Sequence, residues 1–116
     1  MQEDVTMSVY QELATALREL EATMRATDQW RMARPDPGAF QSTEPFCADT
    51  MSLPQWLRFV FIVRLEALVE ARAPMPAKCE VAPALEAWLT QAGVSGVDRL
   101  MLIQAVEAVD RLVTDN

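Results

Sequence analysis

The stretch Ser52-Leu53-Pro54-Gln55-Trp56-Leu57-Arg58-Phe59-Val60-Phe61-Ile62-Val63-Arg64-Leu65-Glu66-Ala67-Leu68-Val69-Glu70-Ala71-Arg72 decides the fold. Ser52 followed three residues later by Gln55 reads as a capping box. Pro54 sits in the first turn, where a missing N–H costs nothing. Leu53, Leu57, Val60, Phe61, Leu65 and Leu68 recur at spacings of three and four, which predicts a helix over about 53–72 with these side chains inward. Trp56, Phe59, Ile62 and Val63 spread apolar surface round the rest of it. A helix apolar on most sides is the centre of a bundle, or is covered in part by a second chain. Arg64 interrupts this pattern. At 100° per residue it falls among Leu57, Val60, Phe61 and Leu68, so its guanidinium should either reach water from the bundle end or meet a carboxylate in or beside the core. Asp49 and Glu44 are the nearest acids in sequence, with Glu86, Glu107 and Asp110 on other predicted helices.

C-terminal to this helix, Pro74 and Pro76 end it. A short helix follows over about 83–92, with Leu85, Trp88, Leu89 and Ala92 on one face and Gly93 after it. The last helix runs over about 96–113. Ser95 and Asp98 suggest a capping box, and two adjacent apolar stripes follow: Met101, Ala105, Ala108 and Leu112, then Leu102, Val106, Val109 and Val113. On the N-terminal side, a helix over about 4–27 carries the stripe Val5, Val9, Leu13, Ala16, Leu17, Leu20 and Met24, with Tyr10 at its edge and Glu3 and Asp4 at its start. Residues 34–52 form a long connection that Pro35, Pro37 and Gly38 open. A short helix fits around 37–41, and Phe40 and Phe46 are the anchors of the whole connection. The fold class is therefore all-α: one domain over residues 1–116, a bundle of four main helices plus a short helix in the connection.

Composition narrows the chemistry. The chain has 116 residues, half of them apolar (51%), enough for a core. It has no histidine, so neither a Ser–His nor a Cys–His nucleophile pair can be built. Two cysteines cannot close a structural zinc site. Glycines at 38, 93 and 96 make no phosphate-binding loop. No catalytic residue, metal or cofactor is expected. The acidic start at Met1-Gln2-Glu3-Asp4 is not that of a secretory signal, and the apolar run is too short and too charged to span a bilayer. A cytoplasmic protein with reduced thiols is the expectation. Net charge −7 argues against DNA and against nonspecific RNA binding. One local exception is Trp30 with Arg25, Arg31 and Arg34, a mixture suited to single-stranded RNA but a small footprint, and also what a helix C-terminus attracts through its dipole.

Three segments, Thr43-Glu44-Pro45-Phe46-Cys47-Ala48-Asp49-Thr50, Gln55-Trp56-Leu57-Arg58-Phe59-Val60-Phe61-Ile62-Val63-Arg64 and Pro74-Met75-Pro76-Ala77-Lys78-Cys79, resemble the YqcC-like family. The likeness extends from the first helix to the last. It implies a small bacterial all-helical protein without an assigned biochemical function, in some genomes encoded beside a tRNA pseudouridine synthase. It supplies no catalytic residue. Val63 departs from the family pattern, in which a proline often precedes the arginine.

The candidate binding surface or pocket is Glu44, Phe46, Cys47, Asp49, Trp56 and Arg64. Glu44 and Asp49 can act as an acid–base pair or simply cap the next helix. Trp56 and Trp88 can pack in the core or line a pocket between helices. Cys47 and Cys79 flank a helix about 30 Å long, which disfavours a disulfide; they read as buried plugs, with Cys47 the better placed for reactivity. The function expected is a non-enzymatic interaction or adaptor protein with an unidentified protein partner, acting through a helical surface, with a homodimer as one arrangement. The alternative is an accessory or small-ligand-binding factor in tRNA modification.

Overall fold

A computed structural model describes residues 8–115. They contain helices α1 (Val9–Ala26), α2 (Leu53–Trp56), α3 (Ile62–Ala71), α4 (Ala82–Ala92) and α5 (Gly96–Thr114), and no strand. A π-helical turn, Leu57–Phe61, joins α2 to α3, and all its flanking dihedrals are helical. Residues 53–71 are thus one continuous rod, and the molecule is a bundle of four main helices. α1 packs on α5 and α3, and α4 on α5. Two short 3₁₀ turns, Pro37–Gln41 and Pro45–Cys47, lie in the long connection. No helix among the described residues is long and apolar enough to cross a membrane.

The π turn corrects the reading of 53–72 as uniform α-helix. The Ile62 N–H donates to the Leu57 carbonyl, five residues back. A π turn holds about one residue more than an α turn, so every later side chain is rotated by close to 100° relative to the uniform wheel. Leu53 and Leu57 before it, and Ile62 and Leu65 after it, consequently face the same core. Arg64, predicted in the middle of the stripe, is turned out and exposed. Val63 is 53% exposed for the same reason.

Other elements follow local chemistry. Ser8 and Gln11 form a capping box on α1: the Gln11 N–H donates to Ser8 Oγ (3.2 Å) and the Ser8 N–H to Gln11 Oε1 (3.0 Å). The expected start near Asp4, with Glu3, Asp4 and Val5, lies outside the described residues. Ser52 and Gln55 repeat the box (3.2 and 2.9 Å), and Gln55 Nε2 also donates to the Ala33 carbonyl (3.1 Å), tying the connection to α2. The capping box expected at Ser95 and Asp98 does not form. Gly96 has φ +69°, so the first turn of α5 does not bring the Asp98 N–H onto the serine hydroxyl. Gly93, at φ +77°, ends α4 in the left-handed conformation that glycine adopts without cost. Tyr10 Oη lies 2.8 Å from the Ala73 carbonyl and fixes the end of α3 to α1.

The core joins Leu13, Leu17, Leu20 and Met24 of α1, Leu85 and Leu89 of α4, and Leu102, Val106, Val109 and Val113 of α5 to the central rod. Only one of the two predicted stripes of α5 is core. Met101, in the other, is 39% exposed, and Ala105, Ala108 and Leu112 are half-buried. A smaller cluster of Cys47, Met51 and Val60, with Phe40 and Trp56 against it, covers the outer side of the rod. The connection therefore covers apolar surface that sequence alone could equally give to a second chain.

α4 begins without a local capping side chain, since its N-cap is Val81. Asp110 of α5 supplies the acceptor. Its carboxylate takes the Val81 N–H (2.9 Å) and the Ala82 N–H (2.8 Å), and its charge sits where the helix dipole is positive. Thr114 Oγ1 adds bonds to the N–H and C=O of Cys79, both 3.0 Å. Asp110→Ala should cost on the order of 2 kcal/mol, the upper range for loss of a cap, read as a lower urea midpoint with an unchanged m-value.

Candidate functional site

Pro45 opens a 3₁₀ turn whose next two residues are left-handed: Phe46 at φ +60° and Cys47 at φ +50°. Such a conformation is uncommon for a bulky side chain and persists only where packing holds it. Here the Phe46 ring meets Trp56 edge-to-face, with centroids 5.0 Å apart. Trp56 in turn stacks on Phe61 at 5.2 Å. These three rings, with Arg64, Leu68 and Cys79, line a cleft of about 340 Å³ between the rod and the segment before α4. Lys78 borders it and lies 3.6 Å from the Glu80 carboxylate. Beyond Phe46 a second cleft of about 410 Å³ is lined by Met51, Leu53, Ala84 and Trp88. Phe46 is the wall between the two.

Of the six predicted residues, Phe46, Trp56 and Arg64 come together at the first cleft. Cys47 is buried behind Phe46 against Met51 and Val60. Glu44 and Asp49 are exposed and line neither cleft; Asp49 accepts from Ser42 Oγ, and Ser42 Oγ accepts the Glu44 N–H (3.0 Å). Through Ser42 Oγ, the Asp49 carboxylate and the Glu44 backbone N–H hold the turn. Arg64 has no carboxylate within ion-pair distance among the described residues, and Asp110, one of its candidate partners, serves α4 instead. Phe61 and Lys78 were not anticipated at the cleft, because only the π turn and the path of residues 73–81 bring them there.

Both thiols are free. Burial, then the hydrogen bond from Cys79 Sγ to Asp110 Oδ1 (3.2 Å) and the carboxylate's charge, push the Cys79 thiol from 9.0 up to about 12. A thiol held protonated is a poor nucleophile.

A second cluster lies about Arg58 and Phe59 of the rod. Arg58 stacks over Trp30 (4.4 Å) and Phe59 (4.8 Å). Arg25 lies over Trp30 (5.0 Å). Arg34 lies over Phe59 (5.5 Å) and Phe40 (5.2 Å). Arginines and rings so alternate from the end of α1 to the first 3₁₀ turn, and Arg58 Nη1 donates to the Trp30 carbonyl. The sequence showed Trp30, Arg25 and Arg34 as a group, but not that Arg58, Phe59 and Phe40 complete it.

The chain is thus an all-helical bundle that carries an aromatic cleft and a row of stacked arginines, and comparison with known proteins gives the family. A model of the DUF446 family, described as "tRNA pseudouridine synthase C", matches residues 12–112. The uncharacterised protein YqcC of Escherichia coli K12 is 33% identical over 110 residues, 95% of this chain and 98% of that one. Its solution NMR structure superposes with a TM-score of 0.79 over 94% of this chain and 91% of that chain. An uncharacterised protein of Haemophilus influenzae is 41% identical over 70 residues, 60% of this chain and 66% of that one. A protein of Pectobacterium carotovorum named tRNA pseudouridine synthase C is 36% identical over 70 residues, 60% of this chain but 19% of that one. The chain belongs to the YqcC-like family.

Two measurements test the site. Arg64→Met should leave the urea-melt stability within about 0.5 kcal/mol of the parent, the range of an ordinary surface change; a larger loss would reveal a buried partner. Cys79 should react with iodoacetamide at pH 8 at least tenfold more slowly in the folded than in the unfolded protein, because its thiolate fraction is suppressed. The raised folded value means that its contribution to stability is present below about pH 9 and is lost as pH rises toward 12.

Proposed function

We propose that this protein is a non-catalytic accessory module of tRNA pseudouridylation that contacts its modifying enzyme through a helical surface. The observation that carries the reading is the Pectobacterium carotovorum protein, in which a segment 36% identical to 70 residues of this chain makes up 19% of a protein named tRNA pseudouridine synthase C. A helical module that forms part of an enzyme chain in one bacterium and, as in YqcC of Escherichia coli, makes up nearly the whole of a chain in another commonly serves the same enzyme in both. Among the described residues Arg64 has no carboxylate within ion-pair distance, and the Cys79 thiol is pushed up to about 12, which fits a supporting role. The reading entails a cytoplasmic location.

The surface we assign to the enzyme is the start of α5. Val97, Leu100 and Met101 are 69%, 56% and 39% exposed, spaced i, i+3 and i+4 on one face. A second copy of the chain is the competing occupant of this face. When the chain is mixed with the tRNA pseudouridine synthase C of the same genome, the two should co-elute in size exclusion. Leu100→Glu, at an exposed position, should weaken the complex at least tenfold without changing the fold. A synthase that always elutes apart from this chain would overturn the reading, and a chain that sediments as a dimer lost in Leu100→Glu would give the face to self-association.

A further inference from the structure

We infer that the stacked arginines form a docking face for the sugar–phosphate backbone of tRNA. The inference rests on the accessory reading for its choice of RNA as the occupant. The stretches that build this face, residues 25–40 and 58–59, hold four of the ten basic residues (Arg25, Arg31, Arg34 and Arg58) and two of the seventeen acidic ones, Asp28 and Asp36. An acidic protein has thus gathered four of its ten basic side chains in one row. Among the described residues only Arg25 of this face has a carboxylate partner, Glu21 at 2.8 Å.

The geometry adds to the charge. A guanidinium stacked on a ring gives up its flat face and keeps its N–H donors in the plane. Arg58 spends Nη1 on the Trp30 carbonyl and Arg25 faces Glu21, so the remaining donors of Arg58 and those of Arg34 are the ones left for an acceptor at the edge. Arg58 and Arg34 are each held between two rings, so their orientation is fixed before a ligand arrives and less entropy is lost on binding. Phosphate oxygens suit that edge, and Arg is the side chain that meets them bidentately. Trp30 is already covered by Arg25 and Arg58, which leaves little ring face for a nucleobase. Recognition by this face is therefore of backbone and shape, not of base sequence. Arg31, exposed and next to Trp30, extends the row.

The test is fluorescence anisotropy of labelled bulk bacterial tRNA with the full chain over a series of salt concentrations. Affinity should fall steeply with salt, and Arg31→Glu should weaken binding at least tenfold and flatten the salt slope by about one or more. Arg31 touches no ring in the row, so its change leaves the fold intact, which an unchanged melting temperature verifies. Arg111→Glu makes the same charge change at the end of α5 and should have much less effect. No tRNA binding, or equal losses for Arg31→Glu and Arg111→Glu, would overturn the inference. So would binding of polyglutamate as tight as that of tRNA, which would give the face to an acidic protein. Co-elution with the synthase separates the two proposals. If Arg31→Glu and the parent both co-elute with it and neither binds tRNA, the docking face fails alone. If the parent binds tRNA in the expected manner but never meets the synthase, the accessory reading fails alone.

Discussion

The structure depends on the extra residue in the π turn at Leu57–Phe61. A uniform α-helix over 53–71 would send Leu57 and Arg64 to the same side and leave Ile62 on another. The π turn shifts the register once, in the middle. Leu53 and Leu57 then share a core with Ile62 and Leu65, each no more than 7% exposed. The cost is a carbonyl ladder out of step over one turn, and π turns persist mainly where packing or function repays that loss. Here the return is a rod that serves two clusters: the main core on one side, and the Cys47, Met51 and Val60 cluster on the other.

The long connection can then be understood as the outer wall of that rod. It has few regular hydrogen bonds of its own, so it is held by side chains. Gln55 takes the Ala33 carbonyl, Thr50 Oγ1 donates to the Ala39 carbonyl at 2.7 Å, Phe46 abuts Trp56, and the arginine–aromatic row secures its beginning. Each stacked pair is worth about 0.5–1 kcal/mol at an exposed site. The same row thus has two effects, an internal one on the path of the chain and an external one on the sign of the surface. The apolar cleft and the basic face share the rod but look in different directions.

How much of this the sequence disclosed follows from the range of each interaction. The helices, their proline and glycine ends and the Ser52–Gln55 box are local, and local spacing reveals them. The grouping of Phe46, Trp56 and Arg64 is also legible, although the π turn moves Arg64 off the inner stripe: of its two expected settings, water or a carboxylate by the core, it takes the exposed one, at the edge of the cleft. The π turn left no mark, because Leu57-Arg58-Phe59-Val60-Phe61 satisfies an α period well enough. The union of Arg58 and Phe59 with Arg25, Trp30 and Arg34 spans more than twenty residues and needs the tertiary fold. Ser95 and Asp98 show the converse case. There the residues of a capping box are present, and Gly96 takes a backbone angle that keeps them apart. The run Glu80-Val81-Ala82-Pro83 offers α4 no good N-cap, so an acceptor had to come from elsewhere.

That borrowed acceptor has a consequence for how the chain is made. α4 is 11 residues long, too short to be stable by itself in water. Its first N–H groups wait for Asp110, which lies 28 and 29 residues further along. During synthesis α4 is therefore made before the acceptor that caps it, and it can settle only after α5 has emerged almost to its end. The two C-terminal helices should consequently acquire structure together and late, closing onto a rod and an α1 that have been waiting for them. Any premature stop before residue 110 would release a chain with α4 uncapped and the α1 stripe uncovered, the kind of species that quality-control proteases recognise.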